Sequence, residues 1–267
     1  YAGGEPVYIS ARDTAWGACG TWRLLDEGVV GSSLGMSLVR QAQAADSFLA
    51  SSEPADRYVG WVLAELMANK LVALNRDLTL RPEGQAAYVP HVYERAANAG
   101  EFDLVDGSSV LFDQASLLWG AARVLSFVEA TRDTWPESER GLALCLESEA
   151  RTLLERATGA IAAYHLNADG TFVGRSPAAT DGSSTDASTV DVALLVVAIR
   201  EALSLAPDLD RVLSEIQTAA AAQLVTRQGA DGGFAEVSST AGVPTELAAQ
   251  FAGIYGLLAA GDRERAD

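Results

Sequence analysis

The chain has 267 residues and a mass of 28.0 kDa, enough for one large domain or two small ones with a sizeable core. Its 36 acidic residues against 19 basic ones give a formal charge of -17, which disfavours nucleic acid and anionic membrane surfaces as partners. The 49% of hydrophobic residues is spread through amphipathic stretches, and no run approaches the roughly 20 apolar residues of a membrane span, so the sequence reads as a soluble protein that does not insert into a membrane.

The chain opens Tyr1-Ala2-Gly3-Gly4 without methionine or a basic leader, which is expected of an exported and processed protein, or of a segment of a longer product. An extracytoplasmic location follows as the expectation. Residues 1–33 read as an irregular N-terminal segment holding Trp16, Trp22 and Cys19. Cys19 and Cys145 are too few for a disulfide scaffold or a zinc ribbon; buried free thiols are favoured over one long-range bridge. His91 and His165 stand at no ligand spacing, so no metal centre or other cofactor is expected.

From Leu34 onward the periodicity is helical. Leu34, Leu38, Ala42, Ala45 and Leu49 recur at i, i+3/i+4, and Asp56 to Leu74 reads as a partner helix after the turn Ser51-Ser52-Glu53-Pro54. A third, weaker helix is predicted over Gln85 to Ala97, divided at Pro90. Two further pairs follow: Asp113 to Thr131 with Glu137 to Leu166, and Val190 to Leu205 with Leu209 to Thr226. Thr245 to Ala260 reads as the first helix of another pair, carrying Leu247, Phe251, Ile254, Tyr255 and Leu258, before a polar tail over 261–267. This division gives a helical-hairpin domain over 34–260. His165 falls at a helix end, where a cation would complement the dipole.

The pairs repeat. Two long helices end in similar loops, Asn167-Ala168-Asp169-Gly170-Thr171-Phe172 and Gly229-Ala230-Asp231-Gly232-Gly233-Phe234. Asp-Gly sets a tight turn with positive φ at the glycine, and the next aromatic can tuck under the hairpin. Helices then open with acid-x-alanine at Asp113-Gln114-Ala115, Asp191-Val192-Ala193 and Glu246-Leu247-Ala248. On these residues the chain resembles the α/α-toroid and α/α-barrel proteins: six-hairpin glycosidases, polysaccharide lyases, and prenyltransferase and terpene-cyclase relatives. The resemblance implies an all-α fold of about four consecutive hairpins forming an incomplete toroid or arc.

It also implies that helix openings gather at one rim. Asp113, Asp191 and Glu246 would then be catalytic carboxylates for acid/base chemistry at a glycosidic bond, with Trp119, Phe112 and Asp186 binding a carbohydrate. The plainer account of each acid is a first-turn residue that caps backbone N–H groups and complements the dipole. The plainer account of Trp119, Tyr88 and Tyr93 is core packing. The polar loop 174–189 brings Asp181 and Asp186 near Asp169, a set compatible with calcium but lacking a calcium-loop motif. A nucleophile elbow, a phosphate loop, a His-Glu-x-x-His motif and the paired aspartates of terpene enzymes are all absent. Two functions remain: a glycan-active hydrolase or lyase, and a non-catalytic binding or structural subunit with a protein partner or a second copy of itself.

Overall fold

The computed structural model describes residues 7–9, 23–25, 28–95, 102–177, 186–236 and 247–262. The helices α1 (Gly31–Leu49), α2 (Pro54–Arg76), α3 (Leu111–Thr131), α4 (Arg140–Ala160), α5 (Thr189–Leu203), α6 (Asp210–Arg227) and α7 (Leu247–Ala260) dominate. Short strands lie between them: β1 (Val7–Ile9), β2 (Arg23–Leu25), β3 (Gly28–Val30), β4 (Val92–Arg95), β5 (Phe102–Asp106), β6 (Ser109–Val110) and β7 (Arg175–Ser176). The all-α reading holds.

The hairpins form two layers. Helix α1 packs on α3, α3 on α5 and α5 on α7, so the first helix of each hairpin lies beside the next. Helices α2, α4 and α6 back them, each against its own hairpin partner. This is the expected arc of α/α-toroid type. Its middle helix has neighbours on three sides, which is why the sequence of α3 is apolar almost all round: Leu111, Leu117, Leu118, Val124 and Phe127 are all buried. Small residues set the closest approach. A Cβ on Gly35 of α1 would stand 2.4 Å from the Ser116 carbonyl carbon of α3, and one on Gly120 would stand 2.7 Å from the Gly35 carbonyl oxygen.

Each connection from a second helix to the next first helix begins with the same closed turn. Leu80 bridges Tyr88, Leu166 bridges Phe172 and Gln228 bridges Phe234. The glycine within each turn has positive φ, 71° at Gly84, 84° at Gly170 and 82° at Gly232, as the Asp-Gly reading requires for the latter two. The aromatic that closes each turn is buried, Phe172 and Phe234 almost completely. Glutamine side chains hold these turns down: Gln114 Nε2 donates to Val89 O (2.6 Å), Gln223 Oε1 accepts from Phe172 N (2.9 Å), and Gln250 Oε1 accepts from Phe234 N (2.9 Å).

The same connections tie back to the previous hairpin. The residues just before α1, β3, pair antiparallel with β4 in the connection to α3. Before α3, β6 pairs with β7 in the connection to α5, and Leu111 N donates to Gly174 O (2.8 Å). At the start of α5, Thr189 N donates to Glu236 O (2.8 Å). Three successive hairpins are thus latched at one end by main-chain bonds.

Several expectations need correction. The predicted helix over Gln85 to Ala97 is instead an extended run in its described part, 85–95: Tyr88 closes a turn, and 92–95 form β4 between β3 and β5. Cys145 is buried and disulfide-bonded, so the expectation of free thiols fails; Cys19 lies outside the described residues. His165 is no cation at a helix end. It closes a π turn (Ile161–His165) extending α4, and burial pushes its imidazole down to about 4. Trp16, Trp22 and Asp181 also lie outside the described residues, as does Glu246. No described helix is long and apolar enough to cross a membrane. Of the large apolar residues described on α7 from 248 onward, Phe251 (65%) and Tyr255 (60%) are the most exposed.

Candidate functional site

The inner face of the arc is defined by what α3 does not bury. With α1 and α5 at its flanks and α4 behind, the side left open carries half-buried Phe112, Trp119 and Arg123, followed by exposed Ser126 and Ala130. Steps of seven, four, three and four residues put these on one stripe. The matching stripe on α5 is Val190, Leu194 and Glu201, all half-buried.

One polar cluster joins the two stripes. Trp119 Nε1 donates to Glu201 Oε2 (2.8 Å), and Arg123 Nη2 donates to Glu201 Oε1 (2.7 Å). Arg123 Nε also lies 2.6 Å from Glu201 Oε2, but its N–H is not aimed along that line, so Nη2 carries the bond. The indole is therefore fixed by its N–H, with a carboxylate and a guanidinium at its edge, between the apolar Phe112, Val190 and Leu194 on one side and Ser126 and Ala130 on the other. A face of this kind, apolar with a few oriented polar groups, is suited to a ligand that has both an apolar side and hydroxyls. A shallow depression on the outside of α6, lined by Asp210, Ser214 and Thr218, lies away from it. So does a cleft of about 150 Å³ at the far end of α3, lined by Leu125, Arg132 and Glu147.

The end of the arc where the connections gather holds a second cluster, on the first turn of α3. Asp113 is 1% exposed, and its Oδ2 lies 2.6 Å from His91 Nδ1; the His91 side chain is 29% exposed. The backbone carrying His91 is pinned on both sides: Tyr88 Oη donates to Gly107 O (2.7 Å), His91 N donates to Ser108 O (2.9 Å), and Gln114 holds Val89 O. Beside it, Asp106 accepts from Ser108 N (3.0 Å) and Oγ (2.8 Å) and pairs with Arg175. Burial alone would raise the Asp106 carboxyl, but these donors outweigh it and hold the group below the usual carboxylate range.

The other expected residues fall elsewhere. Asp191 makes a capping box with Ser188: Ser188 N donates to Asp191 Oδ2 (2.9 Å) and Asp191 N donates to Ser188 Oγ (3.1 Å). Burial raises its pKa despite those bonds and the nearby Arg227. Asp186 is exposed, bridges Val173 and faces the buried Arg227 electrostatically. Arg227 in turn donates from Nη1 to Thr189 Oγ1 (3.2 Å) and from Nη2 to Ala187 O (2.5 Å). Tyr88 and Tyr93 are buried, Tyr88 edge-on to Tyr164 (5.0 Å between ring centroids) and Tyr93 edge-on to Phe102 (6.5 Å), so both belong to packing. No group of three or more metal-ligating side chains occurs among the described residues.

Sequence reasoning named Trp119 and Asp113 but missed their partners. Glu201 lies 82 residues from Trp119, and His91 lies 22 residues from Asp113. Neither separation carries a local pattern.

No family model matches the chain, and no curated protein matches it. Among solved structures it is similar to a substituted endo-β-1,2-glucanase from Talaromyces funiculosus in complex with β-1,2-glucan, at 14% identity and a TM-score of 0.47. That alignment covers 80% of this chain and 47% of the other, so the chain spans about half the length of the structure it matches.

Proposed function

We propose that the protein is glycan-active and that the inner face of the arc binds a saccharide chain, with Trp119 as the stacking ring. The observation that supports this most directly is the Trp119–Glu201–Arg123 cluster. A pyranose has C–H-rich faces that lie against an indole and equatorial hydroxyls that bond to its surroundings. Glu201 and Arg123 supply an acceptor and donors at the ring's edge, and holding the indole in place beforehand lowers the ordering cost of binding. The disulfide at Cys145 supports an extracytoplasmic setting, because such bonds persist in oxidising compartments.

In the enzymatic form of this reading the rim carboxylates Asp113, Asp191 and Glu246 serve the acid/base chemistry, directly or through a neighbouring group, with Phe112 and Asp186 beside the saccharide. A second form, a binding or structural subunit on the same scaffold, is favoured by one observation: the Asp191 carboxylate is committed to its own helix N-terminus.

Calorimetric titration with a panel of neutral oligosaccharides, β-1,2-glucan fragments among them, tests the face. Trp119→Ala is expected to weaken binding by about tenfold or more, equivalent to about 1.4 kcal/mol. Trp119→Phe keeps a ring but loses the bond to Glu201, and is expected to fall between. Equal affinities for wild type and Trp119→Ala, or no binding by any member of the panel, would reject the proposal. Chromatography of the incubated saccharides separates the enzymatic form from the binding form.

A further inference from the structure

We infer that His91 is the proton acceptor of the connection end of the arc, with Asp113 as its positioning residue; the saccharide named as its substrate class rests on the glycan reading above. The geometry carries the assignment. A carboxylate that is 1% exposed faces one nitrogen of an imidazole whose side chain is 29% exposed. At 2.6 Å that contact is a short, strong hydrogen bond. Ionised Asp113 can only accept, so the shared proton resides on Nδ1 and the lone pair on Nε2. Nε2 makes no hydrogen bond among the described residues. The ring is thus fixed in one tautomer, with its basic nitrogen on the solvent side.

The anchoring of the backbone makes this arrangement rigid. Residues 88–91 are bonded to 107 and 108 on one side and to Gln114 of α3 on the other. Asp113 and Gln114 are successive residues of the same first turn, so one helix start fixes both the ring's partner and the strand that carries the ring. Trp119 is six positions beyond Asp113 on α3, about 9 Å along its axis. A saccharide lying on the indole and running toward the connections would bring hydroxyls or a bound water to that end of the helix.

The step is a proton transfer. The O–H bond of a water or sugar hydroxyl breaks, its proton goes to Nε2, and its electron pair stays on oxygen. The imidazolium that results is balanced by the Asp113 carboxylate, which keeps its own charge. Nothing else need enter or leave for this step to balance.

The chain has two histidines, and His165 is fully buried, so His91 can be followed alone. Long-range proton–nitrogen NMR of the imidazoles in the wild-type protein, above the pH at which imidazole protonates, is expected to show His91 with N–H at Nδ1. Diethyl pyrocarbonate is expected to acylate one histidine, mapped by peptide mass to His91. Asp113→Asn presents a carboxamide that donates to Nδ1 and drives the proton to Nε2; acylation should then slow by about tenfold or more. Asp113→Glu should restore it in part, which a merely structural role would not do. An Nε2–H tautomer in the wild type, an unreactive His91, or an unchanged rate in Asp113→Asn would each overturn the assignment. The tautomer and acylation of the wild type decide the matter even if the Asp113 variants do not fold. On a saccharide that is turned over, His91→Gln should lower kcat with KM unchanged, and an unaltered kcat overturns the proposal. If no saccharide binds the wild type, the glycan reading alone falls, since the NMR and acylation results judge His91 without one.

Discussion

Replacing Gly35 by alanine should destabilise the protein by about 3 kcal/mol, against the usual direction for a helical glycine. In an unobstructed helix Gly→Ala gains about 1 kcal/mol, because alanine restricts the unfolded chain and has the better propensity. At Gly35 the new methyl would meet three main-chain atoms of α3: Ser116 C at 2.4 Å, Leu117 N at 2.6 Å and Ser116 O at 2.6 Å. Main chain within a helix cannot rotate aside as a side chain can, so α1 and α3 must separate along their whole seam and lose contacts there. Gly120 faces the same crossing, 2.7 Å from Gly35 O and 2.9 Å from Leu38 Cβ, and its alanine variant should also destabilise. The double variant should cost less than the sum, because the first methyl opens the space that the second needs. Gly159 of α4, with nothing within 4 Å of an added Cβ, is the control of opposite sign and should stabilise by about 0.5–1 kcal/mol. Urea unfolding of the four variants reads all of this, and a Gly35→Ala protein as stable as wild type would show that the helices are not so closely packed.

The second large effect is acid lability from His165. Burial pushes this imidazole from 6.5 to about 4, partly countered by its bond to the Val173 carbonyl. Its two contacts are those of a neutral ring, Nδ1 donating to Val173 O (2.9 Å) and Nε2 accepting from Ser109 Oγ (2.8 Å). Above pH 6.5 the ring is neutral in both folded and unfolded chains and costs nothing. As pH falls from 6.5 towards 4 the unfolded chain binds a proton that the native protein does not, so stability declines across that window. A shift of this size amounts to about 3 kcal/mol, fully lost once pH is below about 4. Asp191, whose pKa is raised, acts with the opposite sign: its native form takes a proton more readily, which offsets part of the loss at the acid end. Denaturation at a series of pH values should show the decline in wild type and a flatter curve in His165→Gln, whatever that variant's absolute stability. Parallel curves would refute the assignment.

Most helices were legible because each buries a face that repeats along its own length. The predicted pair Val190 to Leu205 and Leu209 to Thr226 differs from α5 and α6 by a residue or two at each end. The run over 85–97 misled because Tyr88, Val89, Val92 and Tyr93 satisfy a helical spacing as well as they do a strand. What decides is the pair of flanking strands, β5 just downstream and β3 from a segment some 60 residues upstream. The site was half legible for the same reason. Trp119 stands out as an aromatic on a helix, and Asp191 announces its cap through Ser188 three residues earlier. Glu201 and His91 acquire meaning only when α5 and the 88–91 segment are brought to α3. Across the repeats, His165 and Arg227 occupy the same place, each just before a turn and each bonded to the opening of its own hairpin's first helix, though no sequence similarity links them.

The latches between hairpins have a consequence for sequence change. Leu111 N to Gly174 O, Thr189 N to Glu236 O and the β3–β4 ladder are bonds between peptide groups, which every residue except proline supplies on the donor side. The register between neighbouring hairpins is therefore written in the chain's connectivity rather than in its side chains. Substitutions can accumulate at these positions while the repeats stay aligned, and only proline at a donor such as Leu111 or Thr189 removes the bond outright. An architecture held in this way can persist in proteins whose sequences have drifted beyond recognition of one another, even where the hairpins within a single chain share little more than a turn and an aromatic.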